Sequence, residues 1–261
     1  MKFALTLLLS CIGMFGQQTY QLPGKGYVSG MSYVSRISGS MQMETKDSSA
    51  PKAGSYTFVH KVEVKDADQK TGKIIEAIVE ISGDYDRQLD DNPIPAEYIN
   101  TKLLYKRKWD GWDVFFGEQK ITDKALEALN NVAFCEEYNT LPTFPVPIGH
   151  KWSVSVADFF RMMGNSAKEF AQIAQNASGQ TKFVFQNIVK SDGNDCAQID
   201  MDMSMKMSIP NQGSMKIKGA VREFRRLDYG IPAHSEGKME MNGSGVKMTV
   251  SIQSSCKIID P

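Results

Sequence analysis

The sequence is poor in the residues that most often carry catalysis and metal binding. It has three histidines and four cysteines in 261 residues. It contains no G-x-S-x-G, H-E-x-x-H or C-x-x-C motif, which are the local signatures of a nucleophilic serine, a zinc protease site and a redox pair. These absences favour a non-catalytic protein, and we expect no catalytic residue, no metal site and no cofactor. We expect His60 and His150 to be ordinary surface or edge histidines.

Charge and cysteine content exclude further classes. Lysine plus arginine and aspartate plus glutamate number 30 each, and no basic patch stands out, so we expect no nucleic-acid partner. Cys135, Cys196 and Cys256 lie beyond the N-terminal region and allow one disulfide and one free thiol, with the pairing open. Three cysteines cannot form a disulfide framework for a chain of this length, so the hydrophobic core must supply the stability.

No apolar run is long enough to span a membrane, which takes about 20 residues, but the N-terminus has the order of a secretory signal. Lys2 precedes the apolar run Phe3–Leu9, and small residues lead to Gln17. This pattern predicts a signal peptide at 1–16 and one β-rich domain at 17–261. Cleavage after Gly16 is the favoured ending. The alternatives are a lipobox whose Cys11 is acylated, which would anchor the protein to the membrane, or an apolar first strand. The location predicted is the periplasm or cell envelope, or secretion.

The clearest pattern is a strict alternation in the C-terminal third. Seven consecutive odd positions from Ala197 to Ile209 are apolar, and polar residues occupy the positions between them. Period two predicts a strand with one dry and one wet face. An earlier hairpin is indicated by Asp110-Gly111 between two apolar segments.

Strand pairing can be predicted from these stripes. Apolar Met215, Ile217 and Val221 continue on odd positions, so paired residues must sum to an even number and the loop must have three or five residues, or contain a bulge. The two registers pair Arg222 with Asp200 or with Asp202.

The last hairpin places further residues on the same dry face. Met239 and Met241 are expected to oppose Val246 and Met248 across a turn at 242–245. Cys256 lies on that dry face and is predicted to be a core thiol.

Two segments have helical spacing instead. The first runs from Thr122 to Cys135 and the second from Val156 to Gln175. The fold predicted is therefore mainly β (α+β): a strongly curved antiparallel sheet, or open half-barrel, with two helical segments packed on its concave face.

The 15 methionines are the unusual feature. Three interpretations remain open: a core filled with a flexible apolar residue, the wall of a cavity for apolar ligands, or a Cu(I) site made of thioethers. The predicted apolar cavity wall consists of Met201, Met203, Met205, Met207, Met215, Met239, Met241, Met248, Phe159, Phe160, Met163 and Phe170.

A family resemblance comes from one mid-chain phrase, Leu-Pro-x-x-Pro-Val-x-x-Gly-x-x-Trp. It is formed by Leu141, Pro142, Pro145, Val146, Gly149 and Trp152. The chain resembles uncharacterised exported bacterial proteins, often lipoproteins, that carry a similar P-V-x-x-G-x-x-W phrase. More loosely it is similar to the half-barrels of Lol-type lipoprotein carriers. That resemblance implies helices on the concave face of a curved sheet and an apolar cavity for acyl chains. The phrase itself also has a physical interpretation, because prolines extend the chain, Gly149 permits a turn and Trp152 anchors the next strand.

The function expected is the non-catalytic binding of an apolar or lipid-like ligand in the cell envelope. The alternative is a structural or protein-interaction domain with a filled core and no ligand, and the third is Cu(I) handling. The partner expected is a lipid or another apolar small molecule, with membrane attachment only through an acylated Cys11. The oligomeric state stays open.

Overall fold

A computed structural model describes most of the chain beyond residue 17. The described residues are 18–46, 51–85, 94–108, 111–122, 125–126, 129, 141–156, 158, 177–209, 213–243 and 245–260. Predictions on Cys11, on the signal peptide at 1–16 and on Cys135 lie outside them.

Strands dominate these residues. Their bounds are β1 Thr19–Tyr20, β2 Ser32–Thr45, β3 Lys52–Ala67, β4 Ile74–Tyr85, β5 Lys102–Lys108, β6 Gly111–Phe116, β7 Gln119–Lys120, β8 Val146–Pro147, β9 Lys151–Ser155, β10 Ala177–Ser191, β11 Asn194–Ile209, β12 Gly213–Arg226, β13 Pro232–Gly243 and β14 Val246–Asp260. A single turn of 3₁₀ helix lies at Ala96–Tyr98.

Twelve of the described strands form one antiparallel sheet. Their order is β7-β6-β5-β4-β3-β2-β14-β13-β12-β11-β10-β9, and β1 pairs with β8 in a separate two-stranded sheet. Almost every neighbour in the large sheet is also a neighbour in sequence. The exception is the pairing of β2 with β14, which joins the N-terminal and C-terminal halves at the centre. The two end strands do not pair, so the sheet is open and not closed into a barrel.

The predicted alternation and its register are confirmed in β11 and β12. Met207 pairs with Met215, and three residues separate the two strand ends. Of the two predicted registers, the structure has the one that places Asp200 opposite Arg222, with the Arg222 Nε atom 2.8 Å from Asp200 Oδ1. Equal parity keeps the apolar stripes of both strands on one side of the sheet.

In the final hairpin each side chain lies on its predicted side of the sheet, but the pairing differs from the prediction. Met241 opposes Met248, and Met239 opposes Val250. Val246 opposes Gly243, because the connection is a two-residue loop rather than the predicted four-residue turn. A shift of two residues keeps every side chain on its predicted side. Cys256 is buried, as predicted.

The core consists of three apolar clusters. The first surrounds Tyr33, Ile81 and Tyr105 in the N-terminal half, and the second lies around Phe183 and Phe185 of β10. The third contains Met205, Met207, Ile217 and Val156, with further methionines at its border.

The mid-chain phrase has the structural role expected of it. Val146 is fully buried in the second cluster, Gly149 has a φ of +86°, and the Trp152 ring stacks on Phe183 at 5.2 Å between centroids. Only glycine adopts such a φ without strain, so the phrase turns the chain into β9.

The predicted fold class is wrong in its helical part. The described chain is nearly all β, whereas we predicted an α+β half-barrel with two helical segments on the concave face. Most of stretches 122–135 and 156–175, including Phe159, Phe160, Met163 and Phe170, lies outside the described residues. The physical reason for the error is that long alternating strands make up most of the described fold. The described residues of the first stretch, Ala125, Leu126 and Leu129, pack into the first apolar cluster.

Candidate functional site on the methionine face

Five neighbouring strands, β11, β12, β13, β14 and β2, present a continuous set of same-side positions in register. We call this set the methionine face. Residues that pair across the five strands form a row, and the face has four rows. The first row is Met201, Val221, Gly237, Ile252 and Gly39, and the second is Met203, Gly219, Met239, Val250 and Met41. The third row is Met205, Ile217, Met241, Met248 and Met43, and the fourth is Met207, Met215, Gly243, Val246 and Thr45. Methionine thus occupies half of the twenty positions.

All eight methionines predicted for an apolar wall lie on this face. The structure adds Met41 and Met43, which the sequence analysis missed. Their alternation with Gln42 and Glu44 in β2 is the same period-two signal in a shorter segment. What the sequence did not show is that β2 pairs with β14, about 200 residues away along the chain.

Burial differs across the methionine face. Met205 and Met207 are buried against Val156 and Ile217 in the third cluster. The other eight methionines of the face are only partly buried. Most of the methionine face is therefore intermediate between a closed core and an open surface.

A small apolar pocket lies between the first two rows. Its volume is about 100 Å³, and it is lined by Met201, Met203, Gly219, Val221, Ser235, Gly237, Lys238, Met239, Val250 and Ile252. Two glycines make the room: a Cβ added at Gly237 would lie 2.7 Å from Val221 Cγ2, and one at Gly219 would lie 3.1 Å from Met239 Cγ. The pocket is smaller than the roughly 300 Å³ at which small-molecule sites begin.

One polar row borders the apolar rows. Its three central positions are Glu223, Ser235 and Ser254, and Ile199 and Ile37 lie at its ends. The row runs parallel to the first row and lies two residues from it along each strand. The Ser235 and Ser254 hydroxyl oxygens are 2.7 Å apart. Arg225, which is 4% exposed, donates from Nε to Glu223 Oε1 at 2.8 Å and from Nη1 to the Gly230 carbonyl.

The opposite side of the sheet holds a large polar cleft. It measures about 870 Å³ and is lined by residues of seven neighbouring strands, from Thr57 of β3 to Val184 of β10. Its floor includes Asp200, Arg222 and Glu236. The hydrogen bond from Arg222 lowers the pKa of Asp200. The apolar cavity implied by the resemblance to lipoprotein carriers stays a prediction.

In the described part of the chain, the histidine rings pack against aromatic rings. His60 is buried, contrary to the surface or edge position predicted, and its ring stacks on Phe58 at 6.2 Å. Loss of solvent lowers the pKa of His60 to about 4. His150 lies between Phe144 and Trp152.

Neither a metal cluster nor a membrane helix is found in the part of the chain that the structure describes. There, no group of three or more histidine, cysteine, aspartate and glutamate side chains is placed to hold a metal ion. No helix in the same part is long and apolar enough to cross a membrane. Binding of Cu(I) by the methionines stays a prediction.

Comparison with known proteins gives similarity to solved structures alone. No family model matches the chain, and no curated protein matches it. A lipovitellin structure that describes lipid–protein interactions has 7% identity and a TM-score of 0.38; the match covers 89% of this chain and about a quarter (25%) of lipovitellin. A DUF1329 family protein from Desulfovibrio piger has 12% identity and a TM-score of 0.21, with 86% and 84% of the two chains covered.

A third similar structure is a putative outer membrane lipoprotein-sorting protein domain from Vibrio parahaemolyticus. It has 10% identity and a TM-score of 0.20, with 87% of this chain and 85% of that domain covered. At these identities and TM-scores the similarity supports no conclusion about function and assigns no residue a role.

Proposed function

We propose that the protein is a non-catalytic, exported protein that binds an apolar, lipid-like ligand in the cell envelope, and that the ligand lies on the methionine face. The observation that carries the proposal is the extent of this face, on which eight methionines are partly exposed and three of them, Met201, Met203 and Met239, line the glycine-made pocket. Methionine is unbranched and polarizable, so its side chains adapt to ligands of variable shape.

The dimensions of the face fit an extended hydrocarbon chain. Its first and fourth rows are six residues apart along each strand, which corresponds to about 20 Å at about 3.4 Å per residue. One leaflet of a bilayer has a hydrocarbon thickness of about 15 Å, half of the ~30 Å core. An acyl chain of membrane length can therefore lie along the face, with one segment in the pocket.

Export in this proposal depends on the signal-like residues 1–16. Acylation of Cys11 would hold the methionine face near a membrane, and cleavage after Gly16 would release the protein. The mass of the mature N-terminus distinguishes the two, since an acylated cysteine adds the mass of its fatty chains.

Native mass spectrometry after mild extraction tests the proposal. We expect lipid to copurify with the wild-type protein and to be absent from the variant Met203→Trp, whose indole fills the pocket. The matched control is Ser204→Trp, which places the same side chain on the opposite side of the same strand and should retain the lipid. A wild-type protein without lipid, or equal loss in both variants, would contradict the proposal.

A structural or protein-interaction domain with a filled core is the second candidate. The observation that favours it is the small volume of the pocket, about 100 Å³. In that case no lipid copurifies, and Met203→Trp lowers the free energy of unfolding by about 1–3 kcal/mol through overpacking.

A further inference from the structure

We infer that the ligand of the methionine face is a single-chain amphiphile whose head group is uncharged and carries hydroxyl groups, and that the polar row binds this head group. The inference rests on the proposed function and adds the chemical class of the ligand. The feature that supports it is the change of polarity along the strands, from the polar row to the apolar first row.

The change occurs at the same level in three adjacent strands. Glu223 of β12, Ser235 of β13 and Ser254 of β14 are cross-strand partners, and apolar or glycine positions follow each of them on the same side of the sheet. Ser235 also lines the apolar pocket. A chain lying in the pocket therefore has a hydrogen-bonding group at one end and methionines at the other.

The polar row supplies both kinds of hydrogen-bonding partner. When two hydroxyls bond to each other, one donates and the other keeps its own proton for a further acceptor. The Ser235–Ser254 pair, at 2.7 Å, thus offers a donor to a ligand oxygen. The carboxylate of Glu223 accepts, and its side chain is 19% exposed, so it can be reached from solvent. A hydroxyl group, which both donates and accepts, matches this combination.

The charge balance of the row selects against an ionised head group. Glu223 and Arg225 form an ion pair at 2.8 Å and contribute no net charge together. An ionised head group placed beside them would lose hydration without gaining an opposite charge. The occupant that fits is therefore an acylglycerol-type molecule with one chain, rather than a fatty acid or a phospholipid.

Displacement of an environment-sensitive alkyl dye from the full chain tests the inference. The competitors are a monoacylglycerol and a fatty acid of equal chain length. We expect the wild-type protein to bind the monoacylglycerol about tenfold more tightly, a difference of about 1.4 kcal/mol. Ser235→Ala should remove most of that preference by weakening the binding of the monoacylglycerol.

Glu223→Gln provides a second test, in which the preference between the two competitors is expected to reverse. It leaves the Arg225 charge without its carboxylate partner, so we expect tighter binding of the fatty acid and a reversed preference. Because this variant removes half of a buried pair, its fold is checked by circular dichroism, and Ser235→Ala serves alone if it does not fold.

The outcomes separate the two proposals. If both competitors displace the dye equally, and Met203→Trp abolishes their binding, the methionine face is the ligand site and the head-group inference is overturned. If neither competitor binds the wild-type protein, the proposed function fails and the inference fails with it. A preference that Ser235→Ala removes supports both.

Discussion

The two sides of the central sheet are made by the same strands and differ in almost every property. On one side the polar cleft of about 870 Å³ is floored by charged and hydroxyl side chains. On the other, the methionine face leaves a pocket of about 100 Å³. Apolar side chains pack against one another, whereas polar side chains keep their water, so the larger cavity lies on the polar side. The larger of these two cavities is therefore the polar one.

The largest expected effect comes from placing a charge on the buried part of the methionine face. Met205→Asp puts a carboxylate into the third cluster, whose described members are all apolar, and should lower the free energy of unfolding by more than about 4 kcal/mol or prevent folding. Ser204→Asp, one residue away on the polar side, should change it by less than about 0.5 kcal/mol. Urea denaturation of the two variants measures the difference, and similar losses would mean that the two sides are not distinct.

The next effect concerns pH and His60, which lies on the apolar side of β3. Because the folded pKa is about 4 and the ordinary value is 6.5, the unfolded state binds the proton more readily. The stability contributed by neutral His60 is fully present above about pH 6.5 and is lost as the pH falls towards 4, by about 3 kcal/mol in total. We expect His60→Phe to flatten this part of the stability profile. An unchanged slope would show that His60 is not the titrating group.

A smaller effect distinguishes the two glycines that shape the pocket. Gly237→Ala brings a Cβ within 2.7 Å of Val221 Cγ2 and 3.1 Å of a backbone oxygen, so we expect a loss of about 1–2 kcal/mol. Gly219→Ala meets the flexible Met239 side chain at 3.1 Å and should cost less than about 1 kcal/mol. Thermal denaturation of both variants checks the order, which is reversed if Met239 cannot move.

The smallest effect is expected on the polar side. The Arg222 and Asp200 side chains, paired at 2.8 Å, are 48% and 28% exposed, so water and salt screen the pair. Asp200→Asn should lower stability slightly at low ionic strength and not at all in high salt. A large loss that persists in high salt would mean that the polar cleft is more enclosed than its lining residues indicate.

The sequence carried enough information to sort side chains between the two sides. The alternation from Met201 to Met207 and the parity rule reduced the partners of Arg222 to Asp200 or Asp202, and the structure has Asp200. Neither constrained the direction in which the sheet curves, because period two defines two sides and is silent about which of them is concave. The apolar concave face was therefore an implication of the resemblance to lipoprotein carriers and not of the alternation.

Long-range pairing explains what sequence reasoning missed at the site itself. Met41 and Met43 join the methionine face only because β2 pairs with β14. The polar row was missed for the same reason, since Glu223, Ser235 and Ser254 come from three strands and have no common local motif. His60 resembled any polar residue in a strand, and its burial depends on neighbours from β2 and β4.

The most direct test of the central claim is nuclear magnetic resonance of the protein with labelled methionine methyl groups, titrated with a monoacylglycerol. We predict that the methyl signals of Met203 and Met239, which line the pocket, shift or broaden at low ligand concentration. The signal of Met31, which is fully buried in the first cluster, should stay in place. Unchanged signals from Met203 and Met239 at saturating lipid would contradict a ligand site on the methionine face.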